Sequence, residues 1–189
     1  HLAGAKSGVY VYINGQEVGY SEDSKNSAEF LINKFVKPGK NVLTLKIYRW
    51  STGSYLECQD FWRISGIERD VFLYSQPKAA LKDFRVTSTL DDTYKVGIFK
   101  LGVDLRNNGS TAGNMTLVYE LLDANGKVVA TGEKATNVAA GETRTVSFDQ
   151  TLPDVKTWTS EAPNLYKLVM TVKENGKVNE IIPFNVCLL

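Results

Sequence analysis

Histidine is almost missing from this chain: His1, at the terminus, is the only one. The two cysteines, Cys58 and Cys187, lie far apart and form no Cys-x-x-Cys pair. Zinc centres and histidine-dependent triads need several such donors, so both are excluded, and any enzyme chemistry is left to carboxylates. Two cysteines also make no disulfide framework; buried or free thiols are expected. Lysines and arginines balance the acids to a formal charge of +1, and no basic run stands out, which argues against a nucleic-acid partner. No apolar stretch reaches the length of a membrane helix, and residues 1–20 lack the basic start and apolar core of a signal peptide. No segment carries a long 3.6-residue apolar period. The chain enters strand-like sequence almost at once, in "HLAGAKSGVYVYING", as if it began inside a domain.

What is present has a period of two. In "VLTLKIY", Leu43, Leu45 and Ile47 alternate with Thr44 and Lys46; in "FKLGVDLR", Phe99, Leu101, Val103 and Leu105 alternate with polar residues. Such alternation marks half-buried strands of antiparallel sheets. Asn14-Gly15, Asn125-Gly126 and Asn175-Gly176 each separate β-prone runs, and Asn-Gly tolerates the two positive φ angles of a type I′ hairpin turn. The expected class is all-β. Pro77 and the sequence after it break the pattern, which suggests one unit over 1–76 and another over 77–189. The second offers seven strand candidates, the number of an immunoglobulin-like sandwich. The first offers about four, too few to close a sandwich.

One stretch departs from this pattern. "RWSTGSYLECQDFWRISGIERDV", Arg49 to Val71, holds Trp50 and Trp62, three arginines and four acids. Arg63 and Arg69, with Arg49, Glu68 and Asp70, read as ion pairs that fix a corner. Trp50 and Trp62 could stack on a sugar face, but strand-end tryptophans are more often core anchors, and core is the expectation for both. Glu57 and Asp60 stand three apart, yet a catalytic carboxylate pair must flank a bound sugar, and nothing nearby supplies the opposite wall. Asp60 taken by itself reads as a turn cap. Cys58 has no base to activate it. Tyr166, just before a long apolar strand, is where an immunoglobulin-like tyrosine corner would stand.

"YINGQEVGYSEDSKNSAEF" followed by "RWSTGSYLECQDFWRISGIERDVFLY" resembles the N-terminal sugar-binding domain of glycoside hydrolase family 2 β-galactosidases, and "WTSEAPNLYKLVM" resembles a segment of the immunoglobulin-like domain that follows it. The resemblance covers essentially the whole chain. It implies a partial jelly-roll (galactose-binding-like) β-sandwich followed by an immunoglobulin-like β-sandwich. It also implies a (β/α)₈ barrel further on, carrying two catalytic glutamates that hydrolyse terminal β-galactosides by a retaining double displacement. Neither glutamate is in this sequence, so the chain alone is expected to be inactive. Where the family continues through Gly-Phe-Arg, this chain has Val186-Cys187-Leu188-Leu189.

The resemblance implies that Asp60 contacts galactose hydroxyls and ligates sodium, reversing the turn-cap reading. It further implies sodium and magnesium in the whole enzyme, a homo-oligomer, and a bacterial cytoplasmic or periplasmic location. β-Glucuronidases and β-mannosidases share these accessory domains, though "GSYLECQDFW" favours β-galactosidase. A freestanding carbohydrate-binding module is the rival from another class.

Overall fold

The computed structural model describes residues 1–23, 25–56 and 62–188. Among them the regular structure is twelve strands and one short 3-10 turn, with no α-helix, so the all-β expectation holds. The chain divides into two units, His1–Ser75 and Gln76–Leu189.

The first unit contains β1 (Ala5–Lys6), β2 (Gly8–Ile13), β3 (Gln16–Ser21), β4 (Leu43–Tyr48) and β5 (Gly66–Ile67). β2 lies between β3 and β4, antiparallel to both. Alternation sorts its two faces: Val9 and Val11 join Leu2 and Ala5 in a small core, against which Val18, Phe30, Leu45 and Ile47 pack. The opposite face carries tyrosines, with Tyr10 ring centroids 4.5 Å from Tyr20 and 5.9 Å from Tyr48. Asn14 (φ 53°) and Gly15 (φ 81°) are both left-handed, as a two-residue hairpin turn with the twist of its strands requires.

The second unit contains β6 (Ala79–Leu90), β7 (Gly97–Asn107), β8 (Gly113–Leu122), β9 (Val128–Val138), β10 (Thr143–Leu152), β11 (Tyr166–Glu174) and β12 (Lys177–Val186). These are the seven strands expected from alternation. They form sheets of order β10-β7-β6 and β12-β11-β8-β9, every pairing antiparallel. Phe99, Leu101, Val103 and Leu105 of β7 are buried with Met115, Leu117 and Tyr119 of β8 and Leu168 and Met170 of β11. Each such side chain contributes roughly 1.5–3 kcal/mol by leaving water. Gly132 on β9 is part of this packing: a Cβ there would stand 2.7 Å from the Tyr119 ring and 2.9 Å from the Phe148 ring.

Asn175 (φ 48°) and Gly176 (φ 83°) again form a two-residue left-handed turn, between β11 and β12. Asn125-Gly126 does not. Only Gly126 has positive φ there, and the Asp123 carboxylate accepts the N–H groups of Asn125 and Lys127, each at 2.9 Å. An aspartate two residues before the pair captures the local donors and makes a longer loop.

The two units differ in how far they bury their own apolar side chains. Of the large hydrophobics exposed among the described residues, sixteen lie before residue 76 and eight after it.

Asn107, 2% exposed at the end of β7, joins three loops of the second unit. Its amide donates to the Thr111 carbonyl at 2.8 Å and the Val138 carbonyl at 2.9 Å, while its oxygen accepts from Gly109 N–H at 2.8 Å. Removing it strands buried carbonyls as well as losing bonds. Asn107→Ala is expected to cost about 2–4 kcal/mol by denaturant unfolding, against less than about 0.5 kcal/mol for the neighbouring Asn108→Ala. Equal costs for the two would contradict this account.

Candidate functional site

Arg49–Val71 leaves the sheet at the end of β4 and returns along the N-terminal residues. Ser51 opens the 3-10 turn Thr52–Tyr55. On the return, β5 pairs with β1 (Ala5 with Ile67, Lys6 with Gly66), and Val71 bridges to Leu2. The Glu68 N–H donates to the Gly4 carbonyl at 3.0 Å, and the Ala3 N–H to the Asp70 carbonyl at 2.9 Å. Gly4 has no side chain because the Arg69 stem lies there, 3.2 Å from where a Cβ would be.

Hydroxyls hold the outgoing arm. Ser7 Oγ bonds both Ser51 Oγ and, at 2.7 Å, Ser54 Oγ; the Ser51 N–H donates to Ser54 Oγ at 2.8 Å. On the other arm, Lys6 Nζ donates to the Trp62 carbonyl at 3.3 Å. Gly8 makes room for this assembly, since a Cβ there would stand 2.8 Å from the Tyr20 hydroxyl and 3.3 Å from Ser51 Cβ.

The tryptophans are not core anchors. Trp50 is 51% exposed and Trp62 77% exposed. Trp50 stands just past the end of β4 with the Arg49 and Arg63 guanidiniums over its ring, 5.6 and 5.3 Å from the centroid. Cation–π contact satisfies an indole face without burying it. The ion-pair expectation also changes in detail: Glu68 pairs with Lys25 at 2.7 Å, and Arg69 Nη1 donates to the Lys25 carbonyl at 3.3 Å. Asp70 enters the corner through its backbone carbonyl.

Glu57, Cys58 and Asp60 lie outside the described residues. Among the described residues, no three His, Cys, Asp or Glu side chains come together as a metal site. Cys187 is a free thiol. Tyr166 opens β11 in the second unit, buried, and its hydroxyl accepts the Lys156 N–H at 2.9 Å. That unit also carries a cleft of about 310 Å³ over Gly102, lined by Asp83, Arg85 and Asp104. Asp104 already accepts the Thr145 hydroxyl at 2.6 Å, so one of the two carboxylates is engaged.

Lys6, Ser7 and Tyr20 had no signal in the alternation pattern. Ser51 and Ser54 were inside the unusual stretch, but their partner Ser7 lies more than forty residues upstream, where no local pattern points to it.

Two tandem β-sheet units, one with an excursion locked against its own N-terminal strand and one a seven-stranded sandwich, define a class of accessory module found beside catalytic domains. Residues 2–77 match the family described as "Glycosyl hydrolases family 2, sugar binding domain", and residues 79–186 match "Glycosyl hydrolases family 2". The chain belongs to glycosyl hydrolase family 2. It is 43% identical over 171 residues to a beta-galactosidase of Priestia megaterium, covering 90% of this chain and 16% of that protein. It is 38% identical over 183 residues to a beta-galactosidase of Streptococcus thermophilus, covering 97% of this chain and 17% of that one. The chain therefore spans less than a fifth of these curated relatives. A crystal structure of a beta-glucuronidase from Bacteroides uniformis shares the fold with a TM-score of 0.90 at 20% identity, over 98% of this chain and 23% of that chain.

The Tyr20 hydroxyl, packed over Gly8, donates to Glu22 at 2.8 Å. Burial of the phenol and then that bond to a carboxylate push its pKa up to about 12. Subtracting the ultraviolet phenolate titration of Tyr20→Phe from that of the unmodified chain should isolate one ionisation near 12, well above the ordinary value of 10.0. A difference curve centred near the ordinary value would refute the packing described.

Proposed function

We propose that this chain is a non-catalytic part of a β-galactosidase, and that Asp60 contributes to its galactose subsite. The observation that carries the reading is the contrast in identity: 43%, 41% and 38% to three curated beta-galactosidases, against about 20% to solved beta-glucuronidases, where only the fold is shared. The motif Gly53–Trp62, "GSYLECQDFW", supports it.

In the whole enzyme, the reaction belongs to a barrel beyond these residues. One glutamate attacks the anomeric carbon while the other protonates the leaving oxygen and then activates water, so the configuration is retained. This chain braces that barrel and presents Asp60 to the sugar. An ionised aspartate accepts two or more hydroxyl hydrogen bonds, which orients a galactose ring without taking part in bond cleavage. Sodium and magnesium belong to the same proposal, with the contribution of this chain being a carboxylate oxygen of Asp60, a donor suited to a hard cation. The exposed apolar side chains around the corner, Tyr55, Leu56, Trp62 and Ile64, suit burial against the barrel or a second subunit of a homo-oligomer.

The test is Asp60→Ala in the intact enzyme, assayed with a β-galactoside. Losing hydrogen bonds to a charged acceptor should lower kcat/KM about ten- to a hundredfold. Unchanged turnover and KM would remove Asp60 from the site, and better turnover of a β-glucuronide by the unmodified enzyme would redirect the assignment to that activity.

A further inference from the structure

Residues 57–61, which include Asp60, are flanked by two shoulders, and adjacent residues of the N-terminal strand hold one each. Upstream, Ser7 Oγ closes a three-hydroxyl knot with Ser51 and Ser54, the latter at 2.7 Å, and the Ser51 N–H adds a 2.8 Å bond to Ser54. Downstream, Lys6 Nζ reaches the Trp62 carbonyl at 3.3 Å. A third tie crosses directly between the shoulders, where the Arg63 guanidinium lies 5.3 Å from the Trp50 ring centroid.

The holders are themselves fixed. Ser7 is 2% exposed and its N–H donates to the Tyr48 carbonyl at 3.2 Å, while Lys6 pairs with Gly66 in the β1–β5 ladder. Burying a lysine and a serine on a short strand is costly unless their polar atoms are used. Here their side chains bond to the arms of the corner, and the small hydrophobic core of the unit has no need of either. Trp62 is two residues beyond Asp60 in sequence, so anchoring its carbonyl confines the Asp60 Cα to within about 7 Å of it by chain length alone.

We propose that Lys6 and Ser7 are positioning residues for Asp60, setting the two ends of its segment so that the carboxylate meets the sugar in one geometry. The inference rests on the role proposed for Asp60 above. Displacing a substrate-orienting group by about 1 Å costs as much as a hundredfold in rate, so loss of one holder is expected to act at a distance from the sugar.

The experiment compares Ser7→Ala, Lys6→Met, Asp60→Ala and the Ser7→Ala/Asp60→Ala double variant in the intact enzyme. Steady-state kinetics on a β-galactoside are read beside amide exchange across residues 49–64. Each single holder variant should lower kcat/KM about tenfold, chiefly through KM, and speed exchange at the shoulder it holds. Ser7→Thr and Lys6→Arg should restore most of both. In the Asp60→Ala background, Ser7→Ala should have no further kinetic effect.

Full activity with unchanged exchange in both holder variants overturns the inference, and so does a Ser7→Ala loss that persists undiminished without Asp60. If Asp60→Ala is itself silent, the role of Asp60 fails, and with it the function of the clamp, even where exchange still reports the clamp as a physical restraint. Should Ser7→Ala not fold, Ser54→Ala removes the same knot from its other side and is read by the same outcomes.

Discussion

The pairing of the first six residues with residues 66–72 is what closes the corner. Arg49–Val71 is a long excursion, and closing a loop of that length costs entropy that grows only slowly with length but must still be offset by contacts at its base. The β1–β5 ladder, the Leu2–Val71 bridge and the backbone bonds at Gly4 supply them. With the base closed, the Ser7 hydroxyl knot and the Lys6–Trp62 bond hold the arms. Without it, none of those side chains would be within reach of one another.

The second unit needs no such device. Its two sheets bury a continuous core in which β7, β8 and β11 each contribute an unbroken alternating row. The first unit keeps a small core and an apolar rim near the corner, so its order depends more on polar ties. Under the proposed function the two play different parts. The sandwich is a self-sufficient brace, and the corner presents a segment whose partner surface lies elsewhere in the enzyme.

Much of the fold was legible from local patterning. Period-two rows such as Phe99 to Leu105 became buried strand faces, and Asn14-Gly15 and Asn175-Gly176 became two-residue turns. Asn125-Gly126 did not, because Asp123 competes for the same backbone N–H groups. The tryptophans were misplaced for a similar reason: composition shows an indole near a strand end, but not whether its face meets aliphatic carbon or guanidinium. Glu68 likewise found Lys25 rather than an arginine, since both were plausible by charge and only their spacing in the fold decided between them.

The sequence by itself determined the strands, their inward faces and the tight turns, because all of these follow from interactions among residues a few positions apart. It also determined the family, through long motifs that survive as text. The tertiary structure decided which distant residues meet: Ser7 with Ser51 and Ser54, Lys6 with Trp62, Trp50 with Arg63. Those contacts depend on the register of β1 against β5 and on where β4 releases the chain, and a one-residue slip in either would send the same side chains to the opposite face.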